Sequence, residues 1–212
     1  LPSSPTRHGL HCPCLFSAAL RPFLYFVCPV GSLSATRSVL LAAALLVLAI
    51  CTAWSNSFGG PFVLDDLGNI ADNPTIRDLG SLRTVLSPPA DTGVGGRPIL
   101  NLSYALNYAF SGPSVTGFHV TNLLIHTLAT LSLFALLRYT LRSLKFPISP
   151  LPCDLLAFFV ALLWSLHPAQ TQAVTYLSQR AESLMGLFYL LTLYCSARHF
   201  SPSPSLSSLL PL

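Results

Sequence analysis

Asp65 and Asp66 stand side by side at the end of a stretch, residues 38–64, that carries no charge, in a chain with seven acidic residues in all. Two adjacent carboxylates at a membrane surface must be solvated, paired or used, because a charge at the edge of hydrocarbon loses hydration and its protonation equilibrium moves with its surroundings. General acid–base chemistry is one use of that shift. A solvated loop or a helix cap is the plainer use.

The elements that must position this pair lie in a bilayer. The chain is 52% hydrophobic and 8% charged, with mean hydropathy +0.62, far from the roughly 25% charged content of an ordinary soluble domain. Four stretches are candidates to cross the ~30 Å of hydrocarbon that about 20 apolar residues span: about 38–54, 118–137, 153–167 and 183–198. The fold class expected is all-α, a polytopic membrane helical bundle of about four transmembrane helices with an external loop, 55–117, carrying short interfacial helices. Residues 1–37 read as a poorly structured cytoplasmic segment. Residues 201–212, rich in Ser, Pro and Leu, read as a disordered end.

Basic residues orient the bundle. With a cytoplasmic N-terminus, the inner segments hold Arg7, Arg21, Arg37, Arg138, Arg142, Lys145 and Arg198, seven of the eleven Lys and Arg, with Asp154 as their one acid. The outer segments then hold Arg77, Arg83, Arg97 and Arg180 beside the other six acids, as the positive-inside rule favours. The net charge of +4 speaks of topology rather than of nucleic acid, since no basic run with interleaved aromatics appears. On this topology no cysteine faces an oxidising compartment, so no disulfide is expected. Cys12 and Cys14 lack a second Cys or His pair to complete a zinc site.

Within the 55–117 loop, Asn73-Pro74 has the form of an N-cap followed by proline at the first helical position. Ile76, Leu79, Leu82, Val85 and Leu86 then recur at three- and four-residue steps, which predicts an amphipathic helix over 75–86 lying on the bilayer. Ser87-Pro88-Pro89 ends it, a Gly-rich turn follows, and Pro98 opens a second helix to about Phe110. His126, seven residues after His119 and on the same helical face, reads as a hydrogen-bonded packing residue between helices. His167-Pro168 reads as the end of a helix.

In order along the chain stand Leu64-Asp65-Asp66, Asn69-Ile70, Asn73-Pro74, Gly96-Arg97-Pro98-Ile99-Leu100-Asn101-Leu102-Ser103-Tyr104, Gly117-Phe118-His119-Val120-Thr121-Asn122, His167-Pro168-Ala169-Gln170-Thr171-Gln172-Ala173-Val174 and Gln179-Arg180-Ala181-Glu182. Together they resemble the transmembrane and tetratricopeptide-repeat O-mannosyltransferase family and its bacterial relatives, polytopic glycosyltransferases of the C superfamily. The resemblance implies a polyprenyl or dolichyl phosphate sugar donor, mannose above all, and transfer to a protein hydroxyl on the external or lumenal face of the endoplasmic reticulum membrane, or of the plasma membrane in a bacterium. By that analogy Asp65 is the general base and Asp66 its orienting neighbour. Arg97, His119 and Arg180 are donor-phosphate contacts, and His167 and Glu182 lie behind them. Inverting sugar transfer needs such a base together with cationic or hydrogen-bonding groups for the departing phosphate.

Plainer readings stand beside these. Arg180 and Glu182 could form a surface pair worth little. Asp65, Asp66 and His119 could hold a divalent metal, although nothing in their spacing requires one. A noncatalytic membrane anchor for a repeat domain, or a carrier of lipid-linked sugars, would use the same helices. The resemblance also implies further spans and tetratricopeptide repeats beyond residue 212, so the chain is expected to be an incomplete part of such a protein.

Overall fold

The computed structural model describes residues 33–144 and 152–200. The expectations for most of 1–37 and for 201–212, and those resting on Arg7, Cys12, Cys14, Arg21, Cys28 and Lys145, lie outside the described residues. The described part is helical: α1 (Leu33–Ala53), α2 (Leu82–Val85), α3 (Pro98–Ser111), α4 (Val115–Ser143), α5 (Cys153–Leu166), α6 (Thr171–Thr175) and α7 (Arg180–His199). Short 3-10 or π-helical turns fill the connections at Ser55–Gly59, Leu67–Ala71, Pro74–Ile76, Pro168–Gln170 and Leu177–Gln179. The chain divides into two compact units, Leu1–Leu40 and Leu41–Leu212. All the candidate site residues fall in the second.

Two helices, α1 and α4, are long and apolar enough to cross a membrane, and a third crossing is made if α5 and the segment Pro168–Thr175 act as one span bent by 53°. The bend falls where Pro168 forces extended backbone on His167 (φ −64°, ψ 135°), as proline does to the residue before it. The helix over the expected fourth span, α7, has 20 residues but is not among those long and apolar enough. Its first turn carries Arg180 and Glu182 and its last Arg198 and His199.

The long helix α4 is the common wall, packing against both α5 and α7. Midway along this wall, Ile125 and Ala129 pack on Leu187, with Trp164, Leu190 and Leu191 around them. Ser165 joins three elements there. Its carbonyl accepts from Trp54 Nε1–H at 3.2 Å and lies 3.0 Å from His126 Nε2, while the His126 ring stacks on Trp164 at 5.3 Å. His126 is thus the interhelical packing residue that its spacing predicts.

The two ends of the bundle differ in charge. At one end Asp154, at the start of α5, pairs with Arg138 (3.1 Å) and Arg142 (2.7 Å) from the close of α4, and Arg198 lies over the rings of Tyr139 and Tyr194. At the other end the 55–117 segment meets the 167–180 connection. Arg138, Arg142 and Arg198 thus gather around Asp154 and the tyrosines at one end of α4.

The 55–117 segment is a folded cap whose core is shared with α4 and the connection before α7. Ile70, Ile76, Val85, Val94, Leu100, Tyr104, Ala105, Phe118 and Leu177 form one buried cluster. The amphipathic helix expected over 75–86 does not form as one element. Asn73 does cap, accepting from the Thr75 N–H at 3.0 Å, but it opens only the Pro74–Ile76 turn. Asp78 then accepts from the Gly80 N–H at 2.9 Å, an Asx-type turn that competes with helix, and α2 is a separate single turn. Of the apolar positions, Ile76 and Val85 are buried in the cap's core while Leu82 and Leu86 are exposed. Asn101 fastens these pieces, accepting from Asn73 Nδ2 at 2.9 Å and donating to the Val85 carbonyl at 2.7 Å and to Thr75 Oγ1 at 2.9 Å.

Candidate active site

The acidic pair splits into two environments. Asp66 is buried and spent on the fold. Its Oδ1 accepts from the Ser178 N–H at 2.7 Å and from the Ser178 hydroxyl at 2.6 Å, and its Oδ2 accepts from the Val63 N–H at 3.1 Å. Charge-assisted hydrogen bonds of this kind are about twice as strong as neutral ones. Asp66 therefore bolts the 55–117 cap to the connection between α6 and α7. Asn69 strengthens the same seam, with Nδ2 donating to Ser178 Oγ at 3.2 Å.

Asp65 is exposed beside it. Its backbone N–H donates to the hydroxyl of Tyr176 at 3.2 Å, and none of the described hydrogen bonds or ion pairs occupies its carboxylate. The residue before it, Leu64, has φ +48°, a left-handed conformation that a branched residue adopts at a cost. Between Leu64 and the anchored Asp66, the Asp65 carboxylate is turned outward to solvent.

Arg180 is placed otherwise than a phosphate ligand would be. It is fully buried, and its guanidinium is consumed by protein acceptors: Nε donates to Asn122 Oδ1 at 2.6 Å, Nη1 to the Ser103 carbonyl at 3.3 Å, and Nη2 to Asn107 Oδ1 at 2.9 Å and the Phe118 carbonyl at 3.1 Å. Its Cζ also sits 4.6 Å from the centre of the Tyr104 ring. Burial lowers its pKa to about 10, so it stays charged at neutral pH. No carboxylate pairs with it; the described ion pairs are those of Asp154, and Glu182 is exposed. The surface pair Arg180–Glu182 does not form. Burial also pushes the Tyr104 hydroxyl above its ordinary value, against the opposing pull of Arg180, and that hydroxyl donates to the Leu177 carbonyl at 3.0 Å.

The other expected residues are scattered around this seam. Arg97, just before α3, is exposed, with one long contact from Nη1 to the Gly93 carbonyl at 3.4 Å, so its guanidinium is free to meet a solvent-borne anion. His119 is buried on α4, with Nε2 3.3 Å from the Gly60 carbonyl and Nδ1 enclosed without a partner among the described residues. His167 is exposed and caps the Pro168–Gln170 turn, its Nδ1 accepting from the Ala169 N–H at 3.1 Å. A metal does not fit the site as built. Both oxygens of Asp66 face N–H or O–H donors, and among the described residues no three His, Cys, Asp or Glu side chains gather to hold an ion.

Asn107, Asn122, Tyr176 and Ser178 were not marked out by charge or by known metal or nucleophile spacing, yet they hold the seam. Their signal was present: neutral amides facing inward on apolar helices are costly unless paired, and an isolated Arg in the same chain is a partner for them.

Comparison with known proteins gives this arrangement a family. The chain is 35% identical over 159 residues to protein O-mannosyl-transferase TMTC1 of Mus musculus, covering 71% of this chain and 16% of that protein. It is 32% identical over 185 residues to Tmtc1 of Drosophila melanogaster, covering 81% and 20%, and 34% identical over 170 residues to TMTC4 of Homo sapiens, covering 71% and 22%. The chain belongs to the TMTC family of protein O-mannosyl-transferases. It spans between about a sixth and a quarter of the length of these relatives. No protein-family profile matches it, and no solved structure does.

Proposed function

We propose that the protein of which this chain forms a membrane part transfers a sugar, mannose by the names of its relatives, from a polyprenyl or dolichyl phosphate carrier to a protein hydroxyl at the external or lumenal face. The observation that carries this reading is the split of the acidic pair: a buried Asp66 fixed by three hydrogen bonds holds an exposed Asp65 at the rim, where the 55–117 cap meets the connection after α6. An exposed carboxylate held by a rigid neighbour is what a general base for an acceptor hydroxyl requires. The base takes the hydroxyl proton, the hydroxyl oxygen bonds to the sugar's anomeric carbon, and the carbon–oxygen bond to the carrier phosphate breaks, leaving the lipid phosphate with the electron pair. Arg97 is an exposed cation on the same cap, as are Arg77 and Arg83, and its planar fork suits phosphate oxygens. Arg180, sealed behind protein, acts on the site by fixing α3, α4 and α7 rather than by touching the donor; His119 ties α4 to the cap at Gly60, and His167 caps the Pro168–Gln170 turn.

Asp65→Asn in the protein reconstituted with radiolabelled dolichyl phosphate mannose and an acceptor peptide should lower turnover about 10²–10⁴-fold with donor binding retained. Arg97→Ala should weaken donor binding, and more so at low salt where the contact is least screened. Full turnover in Asp65→Asn removes the base assignment.

A further inference from the structure

Tyr176 has no role in the reading above, yet its side chain is the group that reaches Asp65 from across the seam. The residues around it are docked one after another. The Tyr176 carbonyl accepts from Asn122 Nδ2 at 3.5 Å, the Leu177 carbonyl accepts from the Tyr104 hydroxyl at 3.0 Å, and Ser178 donates twice to Asp66. The stem of Tyr176 is therefore fixed against α4, α3 and the cap. Its hydroxyl oxygen accepts the Asp65 N–H at 3.2 Å, which uses a lone pair and leaves the phenolic hydrogen to be given elsewhere.

We infer that Tyr176 is a positioning residue for Asp65: its oxygen accepts the Asp65 N–H and so holds the Asp65 backbone, and through that bond the connection between α6 and α7 sets where the proposed base stands. The inference rests on Asp65 being that base. Burial raises the phenol above its ordinary value, so it remains neutral throughout the working range, with an oxygen lone pair for the Asp65 N–H. The left-handed Leu64 (φ +48°) fits the same account, since backbone strain is kept only where surrounding contacts over-determine it, and Asp66 and Tyr176 bracket it on the C-terminal side.

The test reads Asp65 directly. Hydrogen exchange of the Asp65 amide, followed by peptide mass spectrometry on the protein in liposomes, reports the bond to Tyr176 without any need for turnover. Tyr176→Phe removes the acceptor of that N–H and should speed exchange at Asp65 about tenfold, while exchange at the Ser178 amide, held by Asp66, stays unchanged. Unchanged exchange at Asp65 in that variant overturns the inference whatever the activity shows. Transfer from dolichyl phosphate mannose completes the test: Tyr176→Phe should lower kcat about tenfold or more with the donor KM unchanged, and an unchanged kcat beside an inactive Asp65→Asn overturns the positioning role alone. Full turnover in Asp65→Asn, by contrast, overturns the reading of Asp65 as base.

Discussion

Arg180→Lys separates two roles for the one buried cation. The guanidinium donates to four acceptors, Asn122 Oδ1, the Ser103 carbonyl, Asn107 Oδ1 and the Phe118 carbonyl, at 2.6 to 3.3 Å. These acceptors surround a planar fork, whereas an ammonium places its three donors on one nitrogen. Lysine at this position keeps about two of the bonds and orphans the rest. With hydrogen bonds to a charged group worth ~1.5–3 kcal/mol each, the loss is about 3–5 kcal/mol, which lowers the melting temperature by roughly 10 °C in a domain of this size. The assay is thermal unfolding in detergent followed by intrinsic fluorescence, run beside donor KM in liposomes. The clamp account expects a large fall in melting temperature with the residual activity keeping the parental donor KM. A variant that melts within about 2 °C of the parent and instead raises the donor KM would refute it, because the guanidinium would then be spent on the donor and not on α3 and α4.

Three further outcomes follow from the packing. Cysteines introduced at Thr92 and Ser143 should be accessible from opposite sides of the membrane, since the cap and the Arg138–Asp154 end terminate one bundle; reagent access from the same side would break the topology. Asp66→Ala leaves the Val63 and Ser178 N–H groups without their acceptor and should cost about 3 kcal/mol, read as faster hydrogen exchange at 63–67 and 177–179; unchanged protection there would show that the bolt is not holding the seam. Gly117→Ala drives a methyl group into the Ser111 side chain and should cost about 1–3 kcal/mol, with Ser111→Gly in the same chain restoring stability; absence of that rescue would place the clash elsewhere.

Features written in local chemistry were readable before the structure. Pro98 opens α3, Asn73 caps, and His167-Pro168 ends α5, each because one or two residues dictate their own backbone. The segregation of charge was readable too, since it needs only the signs of residues and the lengths of spans. The helix over 75–86 was misread because its periodicity is real but serves two short elements with Gly80 and an Asp78 turn between them, and apolar spacing does not record such a break. Arg180 was misread for a different reason. An outward arginine invites an anion, but its acceptors are amides and carbonyls 58 to 77 residues away in the chain, and neutral acceptors leave no mark in a charge pattern.

The clamp around Arg180 also sets an order of assembly. Asn107 and Asn122 leave the ribosome before Arg180, so the cap helix α3 and the membrane helix α4 are made with two amide oxygens aimed at a cation that has not yet been made. Those oxygens acquire their partner only when the start of α7 is synthesised and docks. Insertion of α4 and arrival of α7 are therefore coupled events, and a nascent chain halted before residue 180 would present an unsatisfied polar face to the machinery that surveys unassembled membrane helices.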